Sequence, residues 1–230
     1  MKTIGLIGGM SWESSLEYYR IINETVKDRL GGLHSAKILM YSVDFYEIEI
    51  LQREGKWEEA REMMCGAAAR LEKGGADFLL ICTNTMHRMA DEVGASIGIP
   101  LLHIADAAGA KVRERGLTVL GLLGTRFTME QDFYRVRLKE KFGLEVLVPD
   151  LPDREFIHHV IYNELCLGRF LPASRERFVQ IAESLRQQGA QGIVLGCTEI
   201  PLLLRQEDTE IPLFNTMKIH AEAAAAAALS

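Results

Sequence analysis

Two stretches of the chain end on side chains that can move a proton. One closes on Cys82-Thr83-Asn84-Thr85 and the other on Gly196-Cys197-Thr198-Glu199. They are copies of each other. Residues 71–85 lie on residues 185–199 without a gap, with Gly75-Ala76 on Gly189-Ala190. In that alignment Cys82 falls on Gly196, Thr83 on Cys197 and Asn84 on Thr198. The residue matching Cys197 is therefore Thr83, not the neighbouring Cys82. A pseudo-twofold axis between the copies would set Thr83 and Cys197 on opposite sides of one bound molecule. Two groups flanking one carbon are what inversion of a stereocentre by proton removal and return requires. A thiolate can serve as the base, but an ordinary cysteine titrates near pH 8.5 and must be lowered by its surroundings. Helix N-termini just past Thr83 and Cys197 are expected to do this and to hold a substrate carboxylate.

The elements that position these residues also repeat. Residues 119–126 match residues 3–10 position for position. Each round opens on an apolar strand and a Gly-containing turn, Gly8-Gly9-Met10-Ser11 in the first and Gly124-Thr125-Arg126-Phe127-Thr128 in the second. Ser11 can cap the helix that follows. Leu16, Tyr19, Ile22, Val26 and Leu30 recur at helical spacing as its expected core face, and Gly31-Gly32 stops it. Strands are expected at 37–43, 78–81, 99–102, 145–148, up to Cys197, and at 212–214. Helices are expected at 57–73, 85–95, 128–142, 153–167 and 173–188, with an Ala-rich helix from Thr216. Strands alternating with helices imply α/β architecture with parallel sheets. The expected fold is two similar halves, 1–100 and 101–208, with 209–230 returning to the first. Ligands in open α/β sheets bind beyond the carboxyl ends of strands. The active site is therefore expected in the cleft between the halves.

Composition excludes other classes. The net charge of −6 and pI of about 5.6 argue against nucleic acid, which needs a basic footprint. No apolar run approaches the roughly 20 residues of a membrane span. Met1-Lys2-Thr3-Ile4-Gly5 reads as the start of a strand rather than a signal peptide. Cys65, Cys82, Cys166 and Cys197 show neither disulfide-scaffold density nor CxxC spacing, so reduced thiols and a cytoplasmic setting are expected. Cys65 and Cys166 read as small hydrophobes on helices, and Cys82 as structural. The histidines lack metal-ligand spacing, and His87, one turn past Thr83, reads as a support of that loop. Gly8-Gly9 is followed by no GxGxxG and no Walker lysine, so nucleotide binding is not expected.

Leu6-Ile7-Gly8-Gly9-Met10-Ser11-Trp12, Ser42-Val43-Asp44-Phe45, Cys82-Thr83-Asn84-Thr85-Met86-His87 and Gly196-Cys197-Thr198-Glu199-Ile200 together resemble the aspartate/glutamate racemase family. The likeness covers nearly the whole chain and is nearest the enterobacterial branch specific for L-aspartate/glutamate or of broad specificity. It implies a cofactor-independent amino-acid racemase, an isomerase and a homodimer, in which two cysteines face opposite sides of Cα. Carried onto this chain, Cys197 and Thr83 are the catalytic pair. Asn84, Thr85, Thr125, Thr128, Thr198 and Glu199 contact the backbone groups of the substrate, and Met10, Ser11 and Gln52 line the site. Two departures matter. The usual Cys-Asn-Thr is here Thr83-Asn84-Thr85. Where many aspartate-preferring members carry Lys stands Cys166, and the loop that carries an Arg in some members reads Leu51-Gln52-Arg53-Glu54. Charge recognition is thereby weakened, and substrates beyond aspartate and glutamate, such as homoserine, are expected. Arg53 and Arg126 remain as cations. The alternatives are a single-cysteine decarboxylase, a maleate-isomerase-like enzyme, or a non-catalytic amino-acid-binding protein.

Overall fold

A computed structural model describes residues 1–230, which form two compact units: Met1–Ile104 with His220–Ser230, and Ala105–Ile219. The first runs β1 (Ile4–Gly8), α1 (Trp12–Leu30), β2 (Ile38–Ser42), α2 (Phe45–Arg53), α3 (Trp57–Lys73), β3 (Phe78–Ile81), a 3₁₀ turn (Thr85–Met89), α4 (Ala90–Ala95) and β4 (Leu101–Leu102). Opening at the boundary, α5 (Ile104–Glu114) leads to β5 (Val119–Gly124), α6 (Arg126–Glu130), α7 (Asp132–Phe142), β6 (Glu145–Leu147) and α8 (Leu151–Asn163). A 3₁₀ turn (Leu165–Leu167), α9 (Pro172–Gln187), β7 (Ile193–Gly196), α10 (Ile200–Leu203) and β8 (Leu213–Asn215) follow. The last helix, α11 (Thr216–Leu229), starts in the second unit and ends in the first. The chain turns to the first unit at His220 rather than at 209, because β8 pairs with β7 and keeps that segment in the second sheet.

Both sheets are parallel and share one strand order, β2-β1-β3-β4 and β6-β5-β7-β8. The duplication extends to single residues. Ile7 pairs with Ile81, and Leu123 with Leu195. Gly5 and Gly121 hold equivalent places because a Cβ there would collide with Leu79 in one unit and with Ile193 in the other. Gly75 and Gly189 form the matching turns before β3 and β7 at φ of 94° and 107°, a region that glycine enters without a Cβ penalty.

Ser11 caps α1 by accepting from the Ser14 amide at 3.3 Å, and Gly31 ends the helix. Its core face differs from expectation. Leu16 is 56% exposed, Tyr19 51% and Leu30 45%, whereas Ser14, Ser15, Tyr18, Ile21, Ile22 and Val26 are buried. Hydrophobic spacing could not select the serines. Ser15 is inside because its hydroxyl accepts from the Gly9 amide at 2.8 Å and lies against Gly8, where a larger side chain would not fit. Helix α2 is an element that periodicity missed: Asp44 caps it by accepting from Tyr46 N at 3.0 Å. The expected helix at 128–142 is two, because Gln131 is extended (ψ 151°) between α6 and α7. Residues 85–95 and 153–167 likewise divide between 3₁₀ and α segments, and the strand expected at 99–102 shrinks to Leu101–Leu102.

Helix α11 is fastened to the first unit by a buried imidazole. Tyr18 Oη lies 2.8 Å from His220 Nδ1, and His220 Nε2 lies 2.9 Å from the Leu102 carbonyl. The carbonyl only accepts, so Nε2–H donates to it and Nδ1 accepts from the tyrosine. Burial lowers the His220 pKa from 6.5 to about 4. The unfolded chain therefore takes up the proton first as pH falls. The stabilisation is whole above about pH 6.5 and is lost progressively toward pH 4, a change of order 3 kcal/mol. Urea unfolding at pH 7 and pH 4.5 should show that loss in the wild type. His220→Gln, which can accept and donate without titrating, should reduce it.

Candidate active site

The strand ladder on the Thr83 side runs one residue past β3. Cys82 N donates to the Ile7 carbonyl at 2.9 Å, and the Cys82 side chain is wholly buried. Burial pushes its thiol well above the ordinary cysteine range. Thr83 is the next residue and stands just beyond the paired backbone. Asn84 and Thr85, both buried, lead into the 3₁₀ turn. Gln52 on α2 reaches the same turn, its Nε2 lying 3.0 Å from Met86 Sδ. His87 Nδ1 is 2.7 Å from the Thr83 carbonyl, so the expected support of this loop is present.

Cys197 follows the end of β7 as Thr83 follows the end of the β3 ladder. Counting from the paired residues Ile81 and Leu195, the two occupy the same register position. The loop is anchored from below by Thr216, whose hydroxyl donates to the Leu195 carbonyl at 2.7 Å. The Cys197 thiol donates to Glu199 Oε2 at 3.0 Å, and the Thr198 hydroxyl donates to the same oxygen at 2.8 Å. All three residues are buried. The expected lowering of the Cys197 pKa is reversed. Burial first, then the charge of Glu199, raise it well above the usual value, with Cys166 adding to the rise. The helix expected to lower it, α10, has only four residues, a single turn with little dipole.

Each unit also carries a hydroxyl pair at the end of its first strand. Thr125 caps α6 by accepting from Thr128 N at 3.3 Å, with the two hydroxyl oxygens 3.2 Å apart. Ser11 and Ser14 repeat this at the start of α1, with their oxygens 3.4 Å apart. Gly8 and Gly124 are equivalent in the sheets, so Gly9-Met10 is a two-residue insertion before the first cap. The ungapped alignment of 3–10 with 119–126 does not show this, since it sets Ser11 beside Phe127.

Other expected residues are placed differently. Met10 packs into the apolar cluster with Ile7, Ile48 and Met64. Arg53 is 3.0 Å from Glu49 on the exposed side of α2. Arg126 lies over the Phe127 ring, and its amide donates to His158 Nδ1 at 3.3 Å. Cys166, read from sequence as a small hydrophobe on a helix, sits in the 3₁₀ turn after α8, close enough to Cys197 to add to the rise of its pKa. The signal for that closeness is the resemblance itself, which places a lysine at this position in some relatives. No helix is long and apolar enough to cross a membrane.

The Asp/Glu/hydantoin racemase family model matches residues 7–224. A broad specificity amino-acid racemase, RacX of Bacillus subtilis strain 168, is 23% identical over 93% of this chain and 92% of its own. Among solved structures, a candidate Asp/Glu racemase from Yersinia pestis is 54% identical with a TM-score of 0.93. An aspartate racemase homologue from Pyrococcus horikoshii OT3 is 34% identical with a TM-score of 0.86. Each match covers all of both chains. With its doubled parallel sheets and its paired strand-end loops, this chain belongs to the Asp/Glu/hydantoin racemase family.

Proposed function

We propose that this racemase inverts Cα of aspartate, glutamate and other amino acids without a cofactor, with Cys197 on one face of the carbon and Thr83 on the other. The observation that carries the reading is the shared register of the two residues, each just past the third strand of an otherwise equivalent sheet. Glu199 is the base for the thiol. The pair holds one negative charge in either form, thiol with carboxylate or thiolate with carboxylic acid, so moving the proton creates no second buried charge. Burial and the neighbouring carboxylate raise the Cys197 thiol, a difference that leaves the thiol form dominant at rest. A substrate ammonium beside the sulfur would offset part of that difference.

Proton balance follows. The Cys197 thiol passes its proton to Glu199, and the thiolate takes the Cα proton, leaving a carbanion delocalised into the carboxylate. The Thr83 hydroxyl gives a proton to the opposite face and takes one from water, and the hydroxide left is neutralised by the proton that Glu199 then releases, which restores the thiol–carboxylate pair. Asn84, Thr85, Thr198 and the Ser11–Ser14 and Thr125–Thr128 pairs supply donors for the substrate carboxylate and acceptors for its ammonium. A hydroxyl does not ionise near neutral pH, so the two directions are unequal. The enantiomer whose Cα–H meets Cys197, the L-form by family analogy, turns over with the higher kcat. Free enantiomers have equal energies, so kcat/KM is the same in both directions and KM is one-sided to match. Incubation with aspartate, glutamate and homoserine in deuterated water, with nothing added, should place deuterium at Cα. No exchange with any amino acid of a broad panel would overturn the reading.

The protein acts as a homodimer. Trp12, Leu16 and Tyr19 support this: they stand at i, i+4 and i+7 on α1 and are 64%, 56% and 51% exposed. Met40 of the edge strand β2 lies beside Gly8 and Ser15 on the α1 side of the sheet and is exposed as well. Such a stripe suits the apolar centre of a stable interface, which needs about 800 Å² per partner. Sedimentation at micromolar concentration should give twice the chain mass, and Trp12→Glu with Leu16→Lys should give one. A wild-type monomer would end the idea.

A further inference from the structure

Three imidazoles gather behind Thr83, where the chain passes between its compact units. The chain leaves the first unit after Ile104 and returns at His220. His87 is buried, and its Nε2 accepts from the Ile104 amide at 3.1 Å. A backbone amide only donates, so that nitrogen carries no proton. The Thr83 carbonyl, 2.7 Å from Nδ1, only accepts, so Nδ1–H donates to it. The His103 and His220 rings pack around His87 with centroids at 4.5 and 5.7 Å, and His220 is itself held by Tyr18 and the Leu102 carbonyl. The backbone explains why a side chain is needed here. In an α-helix the His87 amide would satisfy the Thr83 carbonyl, but in this 3₁₀ turn it donates to Asn84 O at 3.1 Å. The His87 side chain takes its place.

We infer that His87 is a positioning residue for Thr83. Its Nδ1–H holds the Thr83 carbonyl and so sets the direction of the hydroxyl. Its Nε2 ties the same loop to Ile104, the last residue before the chain enters the second unit. The inference rests on the racemase reading of Thr83 and Cys197. Thr83 depends on such a strap because a neutral hydroxyl contributes through placement rather than ionisation, and a misplacement of about 1 Å costs on the order of 100-fold.

Two measurements test it. Long-range proton–nitrogen spectra of the ¹⁵N-histidine-labelled protein at neutral pH should show His87 protonated at Nδ1 alone and His220 at Nε2 alone. His87 protonated at Nε2, or at both nitrogens, would overturn the proposal. The second measurement compares three variants. Asparagine sets an amide N–H where Nδ1 stood, and glutamine sets its amide near Nε2. His87→Asn should keep inversion within about 3-fold of wild type, while His87→Gln and His87→Ala lower kcat for inversion by roughly 10- to 100-fold with KM little changed. Deuterium exchange with retention does not need Thr83, so it should persist, and the ratio of exchange to inversion should rise. A general structural role would lower both in step with the melting temperature. That result, or rescue by glutamine and not by asparagine, overturns the proposal. If the wild type gives neither exchange nor inversion with any amino acid, the racemase reading is what fails, and the tautomer spectrum still decides the geometry of His87.

Discussion

Replacing Cys197 with alanine abolishes hydrogen exchange at Cα from both enantiomers. The expected loss is at the upper end of the 10²- to 10⁴-fold typical of removing a general base, or beyond it, because no other group past β7 takes protons from carbon. Serine does no better, since its hydroxyl does not ionise in this range. The comparison that gives the loss its meaning is among the neighbours on the other strand. Cys82→Ala, which empties a core position, should cost stability yet leave kcat within a few-fold. Thr83→Ala should remove inversion while leaving exchange with retention from the enantiomer that meets Cys197. Thr83→Cys restores a second thiol and should bring the two kcat values together. Deuterium incorporation followed by chiral separation reads all of these. Loss of activity in a folded Cys82→Ala protein, with Thr83→Ala still active, would show that the opposed group is Cys82.

Glu199→Gln should lower turnover by about 10²- to 10³-fold, and the thiol should reveal why. In the proposed reaction the wild-type carboxylate takes the thiol proton, yet by its charge it opposes an unprotonated sulfur at rest. An amide cannot accept that proton, but it can donate to a thiolate. The variant should therefore alkylate faster with iodoacetamide at pH 8 while racemising far more slowly. Opposite movement of the two rates is the signature of a base. If Glu199 only bound substrate, KM would rise and the slowing of turnover would be relieved at saturating substrate.

The doubled α/β fold was legible because alternating strand and helix patterns repeat along the chain, and because the copies ending at Thr85 and Glu199 align without a gap. That alignment also set Thr83 rather than Cys82 against Cys197. Strand pairing adds a local observation: Cys82 is still paired to Ile7 and its side chain is wholly buried, and Thr83 is the first residue past the ladder. The caps at Ser11 and Thr125 were legible singly as polar residues before helices. Their equivalence was not, because a two-residue insertion is invisible to an ungapped comparison.

Sequence alone determined the fold class, the family likeness and the two strand ends where chemistry is concentrated, since these depend on local periodicity and on repeated spacing. Tertiary structure decided which neighbour each group meets. Glu199 turns back onto Cys197 because the chain bends directly after β7. Leu16 and Tyr19 face outward because Ser15 is the side chain that fits against Gly8 at the end of β1. Tyr18 meets His220 across 202 positions of sequence, and the His87 tautomer is set by an amide seventeen residues on. Such contacts depend on side-chain direction and long-range packing, for which the linear pattern holds no period to read.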